Sequence, residues 1–158
     1  MAVWFGTEFI EEGVVITSSV QGLPHDSGRA EMMGPVIVMK VLQEIKEESG
    51  VEGDVVIWSD SAETVGFCND GVIKNLPSRS VSRNMDLKMK WKISKAKYGG
   101  NIRLKKVAAH QDDGTKYKDL SFEARRNVDC DKFAGEKVKE VVEERYVQTL
   151  EKEVQVMV

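Results

Sequence analysis

Cysteine is scarce: Cys68 and Cys130 are the only two in 158 residues, and they lie too far apart for a paired metal-ligand spacing or a dense disulfide framework. A disulfide-stapled secreted scaffold is thereby excluded, and a reducing, intracellular compartment is expected. Long apolar runs are missing too. None approaches the roughly 18–20 residues that span a bilayer, and the opening MAVWFGTEFIEE has no basic segment leading into an apolar one. The expectation is an unsecreted protein of the cytoplasm or nucleus, with no membrane partner. Repeats, low-complexity tracts and domain linkers are also absent. Nor is there an excess of positive charge: the formal net charge is −3, which excludes attachment to nucleic acid by bulk charge alone.

What is present is a hydrophobic content of 41%, enough to close one core. The expected organisation is a single domain over 1–158. The charge is strongly segregated. Lys88, Lys90, Lys92, Lys95, Lys97, Arg103, Lys105 and Lys106 fall in one stretch with no acid among them, whereas 136–153 is mostly acidic. A polyanion would meet the first of these segments.

Patterning along the chain predicts two short strands, 2–9 and 13–20, with a hairpin turn at Glu11, Glu12 and Gly13. Loop residues around Pro24 and Asp26 lead to a helix starting near 27–29, striped by Met32, Met33, Val36, Ile37, Val41, Leu42 and Ile45 and stopped by Gly50. Pro35 is expected to kink it. The run VVIWSD reads as a fully buried strand, since consecutive apolar residues leave no solvent face. A short helix over 61–69, a connection over 71–77 and a helix over 80–97 follow. The last of these is predicted to turn Met85, Met89, Ile93 and Ala96 inward and its lysines and Trp91 outward, and Gly99 and Gly100 break it. Residues 101–109 form a strand with Ile102, Leu104 and Val107 inward, and a long helix begins after Leu120. The order is β-β-α-β-α-α-β-α, an α/β protein with a mixed sheet whose later strands are parallel.

Three acids occupy positions where such folds place chemistry. Asp60 ends the buried strand, at the carboxyl edge where ligands gather; Glu31 lies in the first turn of the long helix; Asp131 lies in the last helix. Taken singly, each has a structural role open to it: a helix cap for Asp60, dipole compensation for Glu31, a solvated face for Asp131. His25, before Asp26, reads as loop chemistry, and the two cysteines as small buried hydrophobes.

Together with their neighbours these acids resemble the ribonuclease H family, over residues 3–135, with 136–158 as a C-terminal helix and tail. Arg29-Ala30-Glu31 before the apolar helix resembles that family's second acidic motif, and Trp58-Ser59-Asp60-Ser61 its strand-ending Asp-Ser. The segment KKVAAHQ resembles the approach to its mobile histidine loop, and NVDCDKFA its last acidic motif, Asn-x-x-x-Asp-x-x-Ala. The stretch HQDDGTKYKDLSFEARRNVDCD is most similar to the domains attached to retroelement reverse transcriptases. The resemblance implies a ribonuclease H-like mixed sheet flanked by helices and metal-dependent hydrolysis of the RNA strand of an RNA/DNA hybrid. It implies Glu31, Asp60 and Asp131 as ligands of Mg²⁺ or Mn²⁺, with His110 as proton shuttle. Hard carboxylate oxygens suit such ions and leave room for water and substrate oxygens. Lys88, Lys90, Trp91, Lys92 and Lys95 match the family's basic region in position, and together with Asn127 they are the expected contacts to an RNA/DNA hybrid or a similar duplex.

The chain departs from the family in one respect: the strand bearing the first acid, in an Asp-Gly context, has no counterpart before Glu31 and would fall upstream of Met1. Glu8, Glu11, Glu12 and Asp26 do not replace that acid convincingly. The metal site is therefore expected to be incomplete and activity weak or absent, so that a non-catalytic nucleic-acid-binding or protein-docking module, or a piece of a polyprotein, stands as the alternative. The alternating tail 153–158 is a candidate to supply a substitute strand.

Overall fold

In the computed structural model, which describes residues 1–7, 10–18, 27–50, 53–70 and 84–156 (backbone alone at 7, 10–12 and 141–156), the chain is mixed α/β. Glu8, His25, Asp26, the connection 71–77 and the expected helix start at Ser80 lie outside the described residues. Two compact units emerge, one made of Met1–Ser19 with Asp129–Val158 and the other of Val20–Val128. Among the described residues no helix is long and apolar enough to cross a membrane.

In the first unit, β1 (Ala2–Thr7) and β2 (Ile10–Thr17) pair antiparallel, with Trp4 opposite Val15 and Phe5 opposite Val14. The register then shifts before Thr7 meets Ile10, so Glu11, Glu12 and Gly13 lie inside β2 rather than at the expected turn. Gly13 has a different task. A Cβ on Gly13 or Gly6 would collide with the Trp4 indole, so both glycines make room for a ring lying across the ladder.

The second unit is built on α1 (Ser27–Ser49), β3 (Val55–Ser59), α2 (Ala62–Asp70), α3 (Met85–Tyr98) and β4 (Ile102–Lys106). Helix α1 ends where Gly50 takes a positive φ of 68°, as its sequence position predicts. The helix runs through Pro35 without interruption. The missing N–H removes the helical donor to the Glu31 carbonyl, and the proline itself is buried. Strands β3 and β4 are parallel and in register from Val55↔Ile102 to Ser59↔Lys106. Met32, Met39, Phe67, Cys68, Leu87, Trp91, Tyr98, Ile102 and Leu104 form the core against one face of this pair.

Three expectations change here. The strands form two separate two-stranded sheets, not one mixed sheet, because no strand among the described residues pairs with both. Strand β3 is not buried on both faces: Val55 and Ile57 pack inward, but Val56 is 47% and Trp58 42% exposed. Helix α3 presents the opposite face to the one expected. Leu87, Lys88, Trp91 and Tyr98 are buried, whereas Met89 is 46% and Ile93 51% exposed. The bulk of Trp91 and Tyr98 outweighs that of the competing methionine stripe, since burying a larger apolar area is worth more.

Helix α4 (Phe122–Val156) begins in the second unit, where Ala124 and Val128 pack with Val107 and Leu120. It continues helical to Val156, so 153–156, expected as part of a substitute strand, are helix instead.

Candidate functional site

Parallel pairing sets the geometry of the candidate site. Because Ser59 is opposite Lys106, Asp60 and the loop that reaches His110 leave the sheet at the same carboxyl edge. Helix α1 starts at that end of the unit. Its last turn is tied to the other end, where Lys46 Nζ donates to the Tyr98 carbonyl at 2.7 Å and the Tyr98 hydroxyl bonds Gly53, just before β3. From Lys46 back to Glu31 the helix rises ~22 Å, more than the ~16 Å length of a five-residue strand. Glu31 thus belongs to the same end of the unit as Asp60 and His110.

Local capping separates two of the acids from their structural roles. The N-cap of α2 is Ser61, whose Oγ accepts from the Thr64 N–H at 3.3 Å, and Asp60 is left out of the cap. Glu31 is the fifth residue of α1, beyond the first turn in which it was expected and in which no acid occurs, and its side chain is exposed. It is therefore past the reach of the helix dipole at that end. His110 is exposed, in the left-handed region at φ 50°, at the start of a 3₁₀ turn over Gln111–Asp113. Asn127 is half-buried and Asp131 exposed, one turn apart on α4, with Asp131 in the other unit.

The entry of α1 is fixed by its neighbour in the Arg-Ala-Glu tripeptide. Arg29 is 5% exposed and grips Asp86 with both terminal nitrogens, at 2.9 and 2.6 Å, while Nη1 also reaches Asn84 Oδ1 at 3.4 Å. Through these hydrogen bonds the guanidinium holds the Asp86 carboxyl at about 2, well below its ordinary value. The clamp fastens the starts of α1 and α3 together at the site's end of the unit. Sequence reading gave Arg29 no such role, since its partner lies 57 residues away.

The expected basic contacts fare differently from one another. Trp91 is 1% exposed and offers no face to a base or sugar, which corrects its assignment as a stacking residue. Lys88 is buried, with Nζ 3.2 Å from Glu63 Oε1 and 5.3 Å from the Phe67 ring. Lys95 donates to the Cys68 carbonyl at 3.1 Å, and Lys92 lies over Phe67 at 5.7 Å. Of these four lysines, Lys90 is the one that is exposed. Cys68 is buried in the core, where burial pushes its thiol up to about 12 and disfavours the thiolate.

Among the described residues no three His, Cys, Asp or Glu side chains close into a group that could hold a metal ion. Glu31 and Asp60 by themselves fall short of a three-ligand group, and Asp131 belongs to the other unit. No family model matches the chain, and no curated protein or solved structure matches it either.

Proposed function

We propose that this chain is a ribonuclease H-like domain directed at RNA/DNA hybrids, and that alone it cuts them weakly or not at all. The observation that supports the reading is the shared edge: Asp60 ends β3, the His110 loop follows its parallel neighbour, and Glu31 stands near the start of α1 at the same end of the unit. Asp60 is also spared from capping by Ser61. These residues stand in the order and on the element types that the family resemblance implies. Hydrolysis would break the P–O3′ bond of the RNA strand while water adds to phosphorus, leaving a 5′-phosphate and a 3′-hydroxyl. Asp60 and Glu31 are the groups of this unit suited to hold Mg²⁺ or Mn²⁺ for it.

A non-catalytic module of the same fold is the second reading, favoured by the lack of a three-ligand group among the described residues. One experiment separates them. A labelled RNA/DNA hybrid is incubated with the protein and Mg²⁺ or Mn²⁺, beside Asp60→Asn. The enzyme reading expects slow cleavage that falls at least about 10-fold in the variant, as loss of a metal ligand requires. Cleavage unchanged by the substitution counts against the site. No cleavage, with hybrid binding that weakens as salt rises, selects the module.

A further inference from the structure

The outer face of the β3–β4 sheet has a composition that the carboxyl-edge site does not use. Residues that pair across the ladder share a face, so Val56 stands beside Arg103 and Trp58 beside Lys105. All four are exposed. Lys105 Nζ lies 5.2 Å from the centre of the Trp58 ring, a cation–π contact that positions the indole on the sheet. Lys106 follows, also exposed, and no acid occurs among the paired residues of either strand; Asp54 and Asp60 lie just beyond the ends of β3.

We propose that this face binds single-stranded nucleic acid, with Trp58 as the platform on which a base stacks and Arg103 and Lys105 as contacts to the flanking phosphates. The charge pattern selects this occupant. Any apolar protein surface that covered Val56 and Trp58 would also bury the cation beside each, with no acid between the strands to neutralise it, and unpaired buried charge is strongly unfavourable. A polyanion neutralises both cations while the ring offers a π-face to whichever base it meets. A duplex keeps its bases stacked inside and cannot use the ring in this way. The site lies on the sheet face rather than at its carboxyl edge, and it stands whether or not the chain hydrolyses a hybrid.

The test is anisotropy of a fluorescein-labelled oligo(dT) 15-mer, and of a labelled duplex of equal length, titrated with the full chain in EDTA so that no metal chemistry contributes. Saturable binding is expected for the single strand and weaker binding for the duplex. Trp58→Ala should weaken single-strand binding roughly 5- to 150-fold, the range for loss of one stacked base, and Trp58→Phe should restore much of it. Arg103→Ala with Lys105→Ala should lower the slope of log affinity against log salt by about 1.4, or ~0.7 per phosphate contact. Each side chain is exposed, and an unchanged melting temperature verifies folding. Equal binding by Trp58→Ala and the parent chain, a duplex that binds as tightly as the single strand, or no saturable binding at 50 mM salt (about the low end of the usual range) would each overturn the proposal.

Discussion

The Arg29 guanidinium is out of water, whereas the Asp86 carboxylate that it grips is half exposed, so the pair is asymmetric and solvent screens its acidic side. The pH consequence follows from the direction of the shift. Asp86 titrates at about 2 in the folded chain against 3.8 ordinarily. Its contribution is therefore complete above about pH 4 and disappears as pH falls from there toward 2. Exposure of the carboxylate screens the pair, so that contribution is about 1 kcal/mol. Asp86→Asn is expected to lower the melting temperature at pH 7 by about 2–4 °C and to flatten the acid limb between pH 4 and 2, both read by thermal melts across pH. An unaltered acid limb would mean that the clamp does not persist in solution. Of this arrangement the sequence showed only the tripeptide, because an ion pair across 57 residues has no local pattern.

At the scale of elements, α3 and β3 show why a periodicity can be right and its face wrong. Met85, Met89, Ile93 and Ala96 recur at helical spacing, but so do Leu87, Trp91 and Tyr98, and the second set carries the aromatic area. Trp91→Ala should then cost about 3–5 kcal/mol, as for a large core side chain, while Ile93→Ala should cost less than about 1. Denaturant unfolding of the two variants distinguishes the faces, and equal costs would contradict the orientation of α3. For β3 the ladder bonds from Val55 N to the Asn101 carbonyl and from Val107 N to the Ser59 carbonyl fix which groups face β4. The backbone N–H and carbonyl groups of Val55, Ile57 and Ser59 point toward β4, and those of Val56 and Trp58 point away. The outer edge of β4 is closed by Asn69, whose amide bonds both the N–H and the carbonyl of Leu104 at 2.9 Å, whereas among the described residues β3 pairs with β4 alone. Hydrogen exchange followed by NMR should find the amides of Val56 and Trp58 fast and those of Ile57 and Ser59 slow. Protection at all four would mean that another strand lies along β3.

For the whole molecule, the C-terminal tail tests the division of strands. Helix α4 stays helical to Val156, so removing 153–158 takes away a last helical turn and, among the described residues, no sheet hydrogen bonds. The expected change in melting temperature is under about 2 °C, and unfolding on deletion would restore the tail as a missing strand. Sequence alone determined what depends on neighbours along the chain: the α/β order, the ends of α1 at Ser27 and Gly50, the placing of Asp60 at a strand end, and a long last helix. Only the tertiary structure decided which faces are covered. Trp91 went inside and Trp58 outside although each lies in an apolar or amphipathic run, because burial depends on whether another element supplies a matching surface. The alternation in IRLKK already marked one polar face on β4, and β3, in register beside it, shares that face. That pairing joins residues almost fifty positions apart, and no spacing within either strand contains it.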